Sequence, residues 1–175
     1  MGRSYKKLLE SVLEEIGVKK GQNLLDFGCG SGHYTIPAAE VVGKDGNVYA
    51  VDKNKSRLAE LNEKAEDMAL KNINIVSTSG GTDLPFAKES MDVILLYDVF
   101  WYFDLYSKGL TKLLDEVYRI SRRRGLLSVY PKHIDSAGLR QKIKQAGFSF
   151  KSSYSGTLIH DGRPESGTLI NFDRD

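Results

Sequence analysis

The sequence predicts a doubly wound α/β fold, a mostly parallel seven-stranded sheet closed by an antiparallel C-terminal hairpin strand at its edge. Three observations carry this expectation. Short apolar runs alternate five times with helical stretches, the pattern that builds a parallel sheet. A glycine-rich turn stands between the first such run and the next helix. The last two β-like segments follow one another with no helix between them, so they are most simply antiparallel.

Each element has its own signal. Leu8, Leu9, Val12, Leu13 and Ile16 mark one apolar face of a helix, which Gly17 stops. Asn23 to Phe27 reads as a short buried strand, followed by glycines and a helix over Thr35 to Val42. Gly43 to Asn47 is a turn cluster, and Val48 to Val51 a second strand. Ser56 to Leu70 forms a helix with Leu58, Leu61, Ala65 and Met68 on one side. Ile73 to Val76 and Asp92 to Leu96 are the third and fourth strands, and Leu110 to Ile120 a helix. Leu126 to Val129 is the fifth strand, and Ala137 to Ala146 a helix ending at Gly147. Phe148 to Ile159 and Gly167 to Phe172 are β-like, joined by turn-rich His160 to Ser166.

Composition bounds what such a chain does. At 175 residues, 41% hydrophobic and 27% charged, it fits one domain over 1–175 and excludes a disordered or collagen-like polymer. No stretch approaches the roughly 18 apolar residues of a membrane span. The net charge of +2 gives no electrostatic reason to expect nucleic acid or a membrane surface as partner. Cys29 is the only cysteine, so no intrachain disulfide and no cysteine-cluster metal site is expected. Met1 to Glu15 lacks the apolar core of a signal peptide, which points to a cytoplasmic protein. Oligomeric state leaves no trace in the sequence.

The densest local signal is Leu24-Leu25-Asp26-Phe27-Gly28-Cys29-Gly30-Ser31-Gly32, where a strand ends and a helix begins. Glycines permit the tight turn and the close approach of a ligand to the backbone. Asp52 ends the next strand, where a carboxylate can accept both ribose hydroxyls of a nucleoside. The plain alternative is a strand-to-helix turn with a capping aspartate. The spacing departs from a dinucleotide fingerprint, since His33 stands where the third glycine belongs and Gly32 comes one residue early. Asp26, inside the strand, would repel a pyrophosphate and suits a ligand with an ammonium group and a positive centre. The residues thus favour a cationic nucleoside over NAD.

These residues resemble a known family. Leu24 to Gly32 is similar to motif I of class I S-adenosylmethionine-dependent methyltransferases, and Val48-Tyr49-Ala50-Val51-Asp52 to their acidic second motif. Leu84-Pro85-Phe86, with Met91 to Leu96, resembles the segment leading into their fourth strand. The likeness is strongest to small-molecule methyltransferases of the ubiquinone/menaquinone-biosynthesis (type 11) kind, whose sheet is Rossmann-like. It implies that Gly28, Cys29, Gly30 and Gly32 wrap the methionine part of S-adenosylmethionine, Cys29 as a packing residue, with Asp26 beside the ammonium. It implies Asp52 on the ribose, Lys53 along the adenine, and Tyr97 beside the cofactor. The family pattern usually has an acid for the adenine amino group where this chain has Gly80. Asp83, or backbone groups of Gly81 and Thr82, would take that role.

The family's acceptor side begins after the fourth strand. There Tyr97-Asp98-Val99-Phe100-Trp101-Tyr102-Phe103-Asp104-Leu105-Tyr106 holds six aromatics in ten residues, against 17 in the whole chain. Phe100, Trp101 and Tyr102, with Tyr34, are candidates to wall a pocket for a planar or apolar acceptor. Equally, these rings would pack a helix onto the sheet. Methyl transfer from a sulfonium is a displacement that chiefly needs positioning, so no obligatory catalytic residue is expected. Asp98 and His133 are the candidate bases for an acceptor that must lose a proton. Their plain readings are a turn or cap aspartate and a solvated loop histidine, and His160, in the late hairpin, is expected to be exposed. Arg122-Arg123-Arg124 reads as a solvated turn before the fifth strand.

The expected function is an S-adenosylmethionine-dependent methyltransferase acting on a small molecule and releasing S-adenosylhomocysteine. A non-catalytic methyltransferase-like subunit supporting a partner protein is the main rival. Two further readings are a nicotinamide oxidoreductase and an aminopropyl transferase.

Overall fold

The computed structural model describes residues 3–175, so the first two residues of the stretch read for a targeting signal lie outside it. Seven strands form one sheet in the order β3-β2-β1-β4-β5-β7-β6. The chain divides into two compact units, one ending at Gly80 and one spanning Gly81–Asp175.

In the first unit, α1 (Arg3–Ile16) buries Leu9, Val12, Leu13 and Ile16 and stops at Gly17, whose φ is +111°. β1 (Asn23–Phe27) is buried at Leu24, Leu25 and Asp26. α2 (Thr35–Val42) follows, then β2 (Asn47–Asp52), α3 (Lys55–Asp67) and β3 (Ile73–Ser77). β1 and β3 both flank β2 in parallel, Leu24 opposite Val48 and Val51 opposite Val76. The Asn54 side chain caps α3 by accepting the Ser56 and Arg57 amides. α3 ends three residues before the expected Leu70, because Ala69 turns left-handed at φ +55°. Met68 therefore falls off the apolar face and is exposed.

The second unit contains β4 (Met91–Leu96), a single 3-10 turn at Phe100–Tyr102, and α4 (Lys108–Ile120), capped by Ser107. β5 (Ser121–Val129), α5 (Ser136–Gln145), β6 (Phe148–His160) and β7 (Arg163–Arg174) complete it. Asp135 caps α5 by accepting the Ala137 and Gly138 amides.

Three expectations are corrected here. β5 starts at Ser121, so the three arginines lie within the strand instead of in a turn before it. They bulge outward there, the register jumping from Met91 opposite Ser121 to Val93 opposite Leu126. Arg122 forks onto both Asp92 carboxylate oxygens at 2.7 and 2.9 Å. The hairpin turn shrinks to Asp161-Gly162, both at positive φ, which suits a two-residue primed turn. Finally, the reversed strand is one place in from the edge. β7 runs antiparallel to both β5 and β6, and β6 takes the outside. The reason is burial: Leu169 to Phe172 is a continuous buried run, whereas most of β6 up to Thr157 is exposed.

Candidate cofactor site and acceptor-side cluster

The glycine loop leaves the carboxyl end of β1. The amides of Gly28 and Cys29 both donate to the Val51 carbonyl, at 2.7 and 3.1 Å, which clips the loop to β2. Gly32 is required sterically: its φ is +86°, and a Cβ there would lie 2.4 Å from Leu61 Cδ1 of α3. Cys29 packs in a buried cluster with Ile36, Ala50, Leu58 and Leu61. Burial pushes its thiol well above the ordinary range, with the charges of Asp26 and Asp52 adding to the rise. It is a packing residue.

Two carboxylates flank this loop. Asp26 is 3% exposed, and its Oδ2 accepts the Thr35 hydroxyl at 2.6 Å from the first turn of α2. Burial, with a smaller contribution from the Asp52 charge, raises its pKa to about 6 against the pull of the Thr35 bond. Asp52 is half-buried and accepts the Gly30 amide on Oδ2 and the Asn54 amide on Oδ1, each at 2.8 Å. A carboxylate offers about four acceptor positions, so two amide bonds leave room for a diol. A desolvated carboxylate bonded to a neutral hydroxyl, a second acid with acceptor capacity, and an intervening glycine turn suit a cationic ribonucleoside. The residues fit S-adenosylmethionine.

The remaining predicted positions fall as follows. Lys53 is exposed, and its stem lies against Gly80, where a Cβ would approach Lys53 Cδ to 3.1 Å. His33 precedes α2, and burial lowers its pKa, with Lys64 contributing. Tyr34 is buried at the start of α2. In the second unit Gly81 and Asp83 are exposed and Thr82 is half-buried. Tyr97 is buried, its hydroxyl 2.7 Å from Ser128 Oγ, and Phe100 packs in the core at 1% exposure. Trp101 and Tyr102 are exposed.

The two candidate bases are joined through His160 in the second unit. Asp98, after β4, contacts His160 Nδ1 through Oδ1 at 2.6 Å. His160 Nε2 lies 3.1 Å from Nε2 of His133, which follows β5. His160 was expected to be exposed; its side chain is only 11% accessible, held in by Asp98 at the end of β6. Burial raises the Asp98 carboxyl, and the His160 bond opposes that rise. Trp101 stacks on His133 with centroids 3.8 Å apart. Sequence reasoning missed Thr35 and His160 as partners, because neither stands at a spacing that ties it to its aspartate. Among the described residues no group of three or more His, Cys, Asp or Glu is arranged to hold a metal ion. No described helix is long and apolar enough to cross a membrane.

With this geometry in place, comparison with known proteins gives the class. A family model described as a methyltransferase domain matches residues 25–129. That is more than half of the chain, which belongs to this family. The chain is 30% identical over 94 residues to demethylmenaquinone methyltransferase of Geobacillus sp. (strain WCH70), covering 54% of this chain and 40% of that protein. It is 33% identical over 85 residues to a probable cobalt-precorrin-6B C(15)-methyltransferase (decarboxylating) of Saccharolobus solfataricus, covering 48% and 43%. The chain thus spans less than half the length of these relatives. A crystal structure of a SAM-dependent methyltransferase from Aquifex aeolicus shares the fold at TM-score 0.75 and 21% identity, over 97% of this chain and 96% of that one.

Proposed function

We propose that the protein transfers a methyl group from S-adenosylmethionine to a small-molecule acceptor, with the two units acting as one methyltransferase domain. The observation that carries this is the pair Asp26 and Asp52 on either side of the glycine loop. The near-complete coverage of a methyltransferase of similar length supports the single-domain reading.

The bound cofactor would supply an activated methyl group on a sulfonium, whose departure leaves a neutral thioether. This chain's residues do the positioning. Asp26 neutralises the ammonium end and, being buried, gains more from that charge than an exposed acid would. Asp52 accepts from the ribose while fixed in place by the Gly30 and Asn54 amides. Gly28, Cys29, Gly30 and Gly32 would bring the backbone close to the methionine portion, and Lys53 would lie along the adenine. Near-balanced charge favours a small molecule over nucleic acid or a membrane, and a cytoplasmic site of action completes the reading.

The test is transfer of label from methyl-labelled S-adenosylmethionine to a panel of planar acceptors, a short-chain demethylmenaquinone in reduced form among them. Labelled product with any of these supports the assignment. A non-catalytic cofactor-binding subunit is the second reading, favoured by Gly80 in place of the adenine-binding acid. Tight cofactor binding with no transfer across the panel would select it.

A further inference from the structure

His133 and His160 meet through their Nε2 atoms, so at any moment only one of those nitrogens carries the shared proton. Asp98 decides which. Its carboxylate accepts from His160 Nδ1 at 2.6 Å, so neutral His160 has its proton on Nδ1 and a bare Nε2. That bare nitrogen accepts from His133 Nε2–H, leaving the lone pair of His133 on Nδ1. Asp98 thus sets the tautomer of a ring it does not touch, by the logic that orients the histidine of a catalytic triad. The backbone holds both ends in strained conformations, Asp98 at φ +55° and His133 at φ +62°. Such outliers gather at functional sites.

The surroundings suit a planar ligand. His133 is exposed and stacked on Trp101, itself 52% exposed. Asp161 Oδ2 lies 3.7 Å from His160 Nε2. Glu165 of β7 is held by Lys132 at 2.7 Å and by the Tyr130 hydroxyl, whose ring stands edge-on to His160. Lys132 is thereby paired, so the unpaired formal charges nearest the two rings are the Asp98 and Asp161 carboxylates.

We infer that Asp98, His160 and His133 form a proton relay ending in a general base at His133 Nδ1, and that the methyl acceptor is a planar aromatic compound with an ionisable hydroxyl, seated against Trp101. This rests on the methyl-transfer reading above. In the step, the acceptor's O–H bond breaks and its proton passes to His133 Nδ1. The pair released on oxygen, or conjugated onto ring carbon, forms the new bond to the methyl carbon. The methyl–sulfur bond breaks with its electrons remaining on sulfur. His133 is the catalytic residue, and His160 and Asp98 position it.

The test uses 4-nitrophenol, whose phenolate is coloured, titrated into the full chain saturated with S-adenosylhomocysteine, so no turnover is needed. The bound phenol should ionise about one pH unit below the free compound, as expected beside a nascent cation. His133→Asn, a residue that tolerates positive φ, should abolish the shift while S-adenosylhomocysteine affinity stays unchanged. Asp98→Asn should do the same. The Asp161 amide lies 3.4 Å from Asp98 Oδ2, so it would fix the new amide with its NH2 toward His160 and reverse both tautomers. Nitrogen-15 NMR of the ligand-free protein reads those tautomers directly, with His133 expected protonated on Nε2. No shift in the wild type, a shift surviving His133→Asn, or His133 protonated on Nδ1 would each overturn the relay. Failure to bind S-adenosylhomocysteine would instead remove the methyl-transfer reading, and the NMR result would still decide the relay.

Discussion

The amide of Gly30 donates to Asp52 Oδ2 at 2.8 Å, tying the middle of the glycine loop to the acid that ends β2. The two motifs are therefore one structural unit, with the acid held at the loop by a backbone amide. Asp52→Ala should weaken binding of S-adenosylmethionine and S-adenosylhomocysteine alike, by about 1–3 kcal/mol, since the ribose is common to both. Calorimetric titration of both ligands checks this, with a thermal melt to confirm folding. Unchanged affinity for either would remove Asp52 from the ribose.

Asp26 trades stability for charge. Its pKa of about 6 lies above the ordinary 3.8, so the folded state keeps a proton that the unfolded state gives up. Its contribution is therefore fully favourable below about pH 4 and is lost as pH rises through 6, in total about 3 kcal/mol. Asp26→Asn, which keeps an oxygen to accept from Thr35, should stabilise the ligand-free protein at pH 8 by about 2 kcal/mol. The gain should shrink toward pH 4. Urea unfolding at the two pH values measures it, and a gain independent of pH would contradict the assignment.

A cation bound beside Asp26 must lower that pKa again. Titrating S-adenosylmethionine at pH 6, where the ligand amine is already charged, should release up to about half a proton per site. The observed enthalpy will then differ between buffers of different ionisation enthalpy, and Asp26→Asn will erase the difference. Buffer-independent heats in the wild type would place the ammonium elsewhere.

Gly32 tests the packing beneath the loop. Gly32→Ala drives a methyl into Leu61 Cδ1, and crowding of this kind costs about 1–3 kcal/mol. Positive φ adds about 1–2 kcal/mol for a residue with a Cβ. Combining it with Leu61→Ala should be less destabilising than the sum of the two single changes, because the truncated neighbour makes room. Additive losses in chemical denaturation would show that the contact is not the cause.

Legibility in the sequence followed the range of the interactions. β1 and α2 were readable to the residue, because Asn23 to Phe27 and Thr35 to Val42 are bounded by local turn signals. The turn that joins Asp26, Gly28 and Asp52 was readable because it is local to one strand–loop–helix unit and the strand beside it; the cofactor roles of these residues belong to the proposal above. The place of β7 was not, since alternation does not say which hairpin strand meets β5; only the burial of Leu169 to Phe172 decides that. The arginine run misled because charge suggests a turn, whereas a bulge lets Arg122 to Arg124 remain solvated inside a strand. His160 was read as exposed because its partner, Asp98, is 62 residues away in the chain, and no spacing rule spans that distance.

The proposed methyl transfer requires that the loop between Asp26 and Asp52 hold S-adenosylmethionine. Calorimetric titration of the purified chain with S-adenosylmethionine, S-adenosylhomocysteine and NAD tests it most directly. One site per chain with roughly micromolar affinity for the first two is expected, with no heat from NAD. Binding of NAD, or of none of the three, would contradict it.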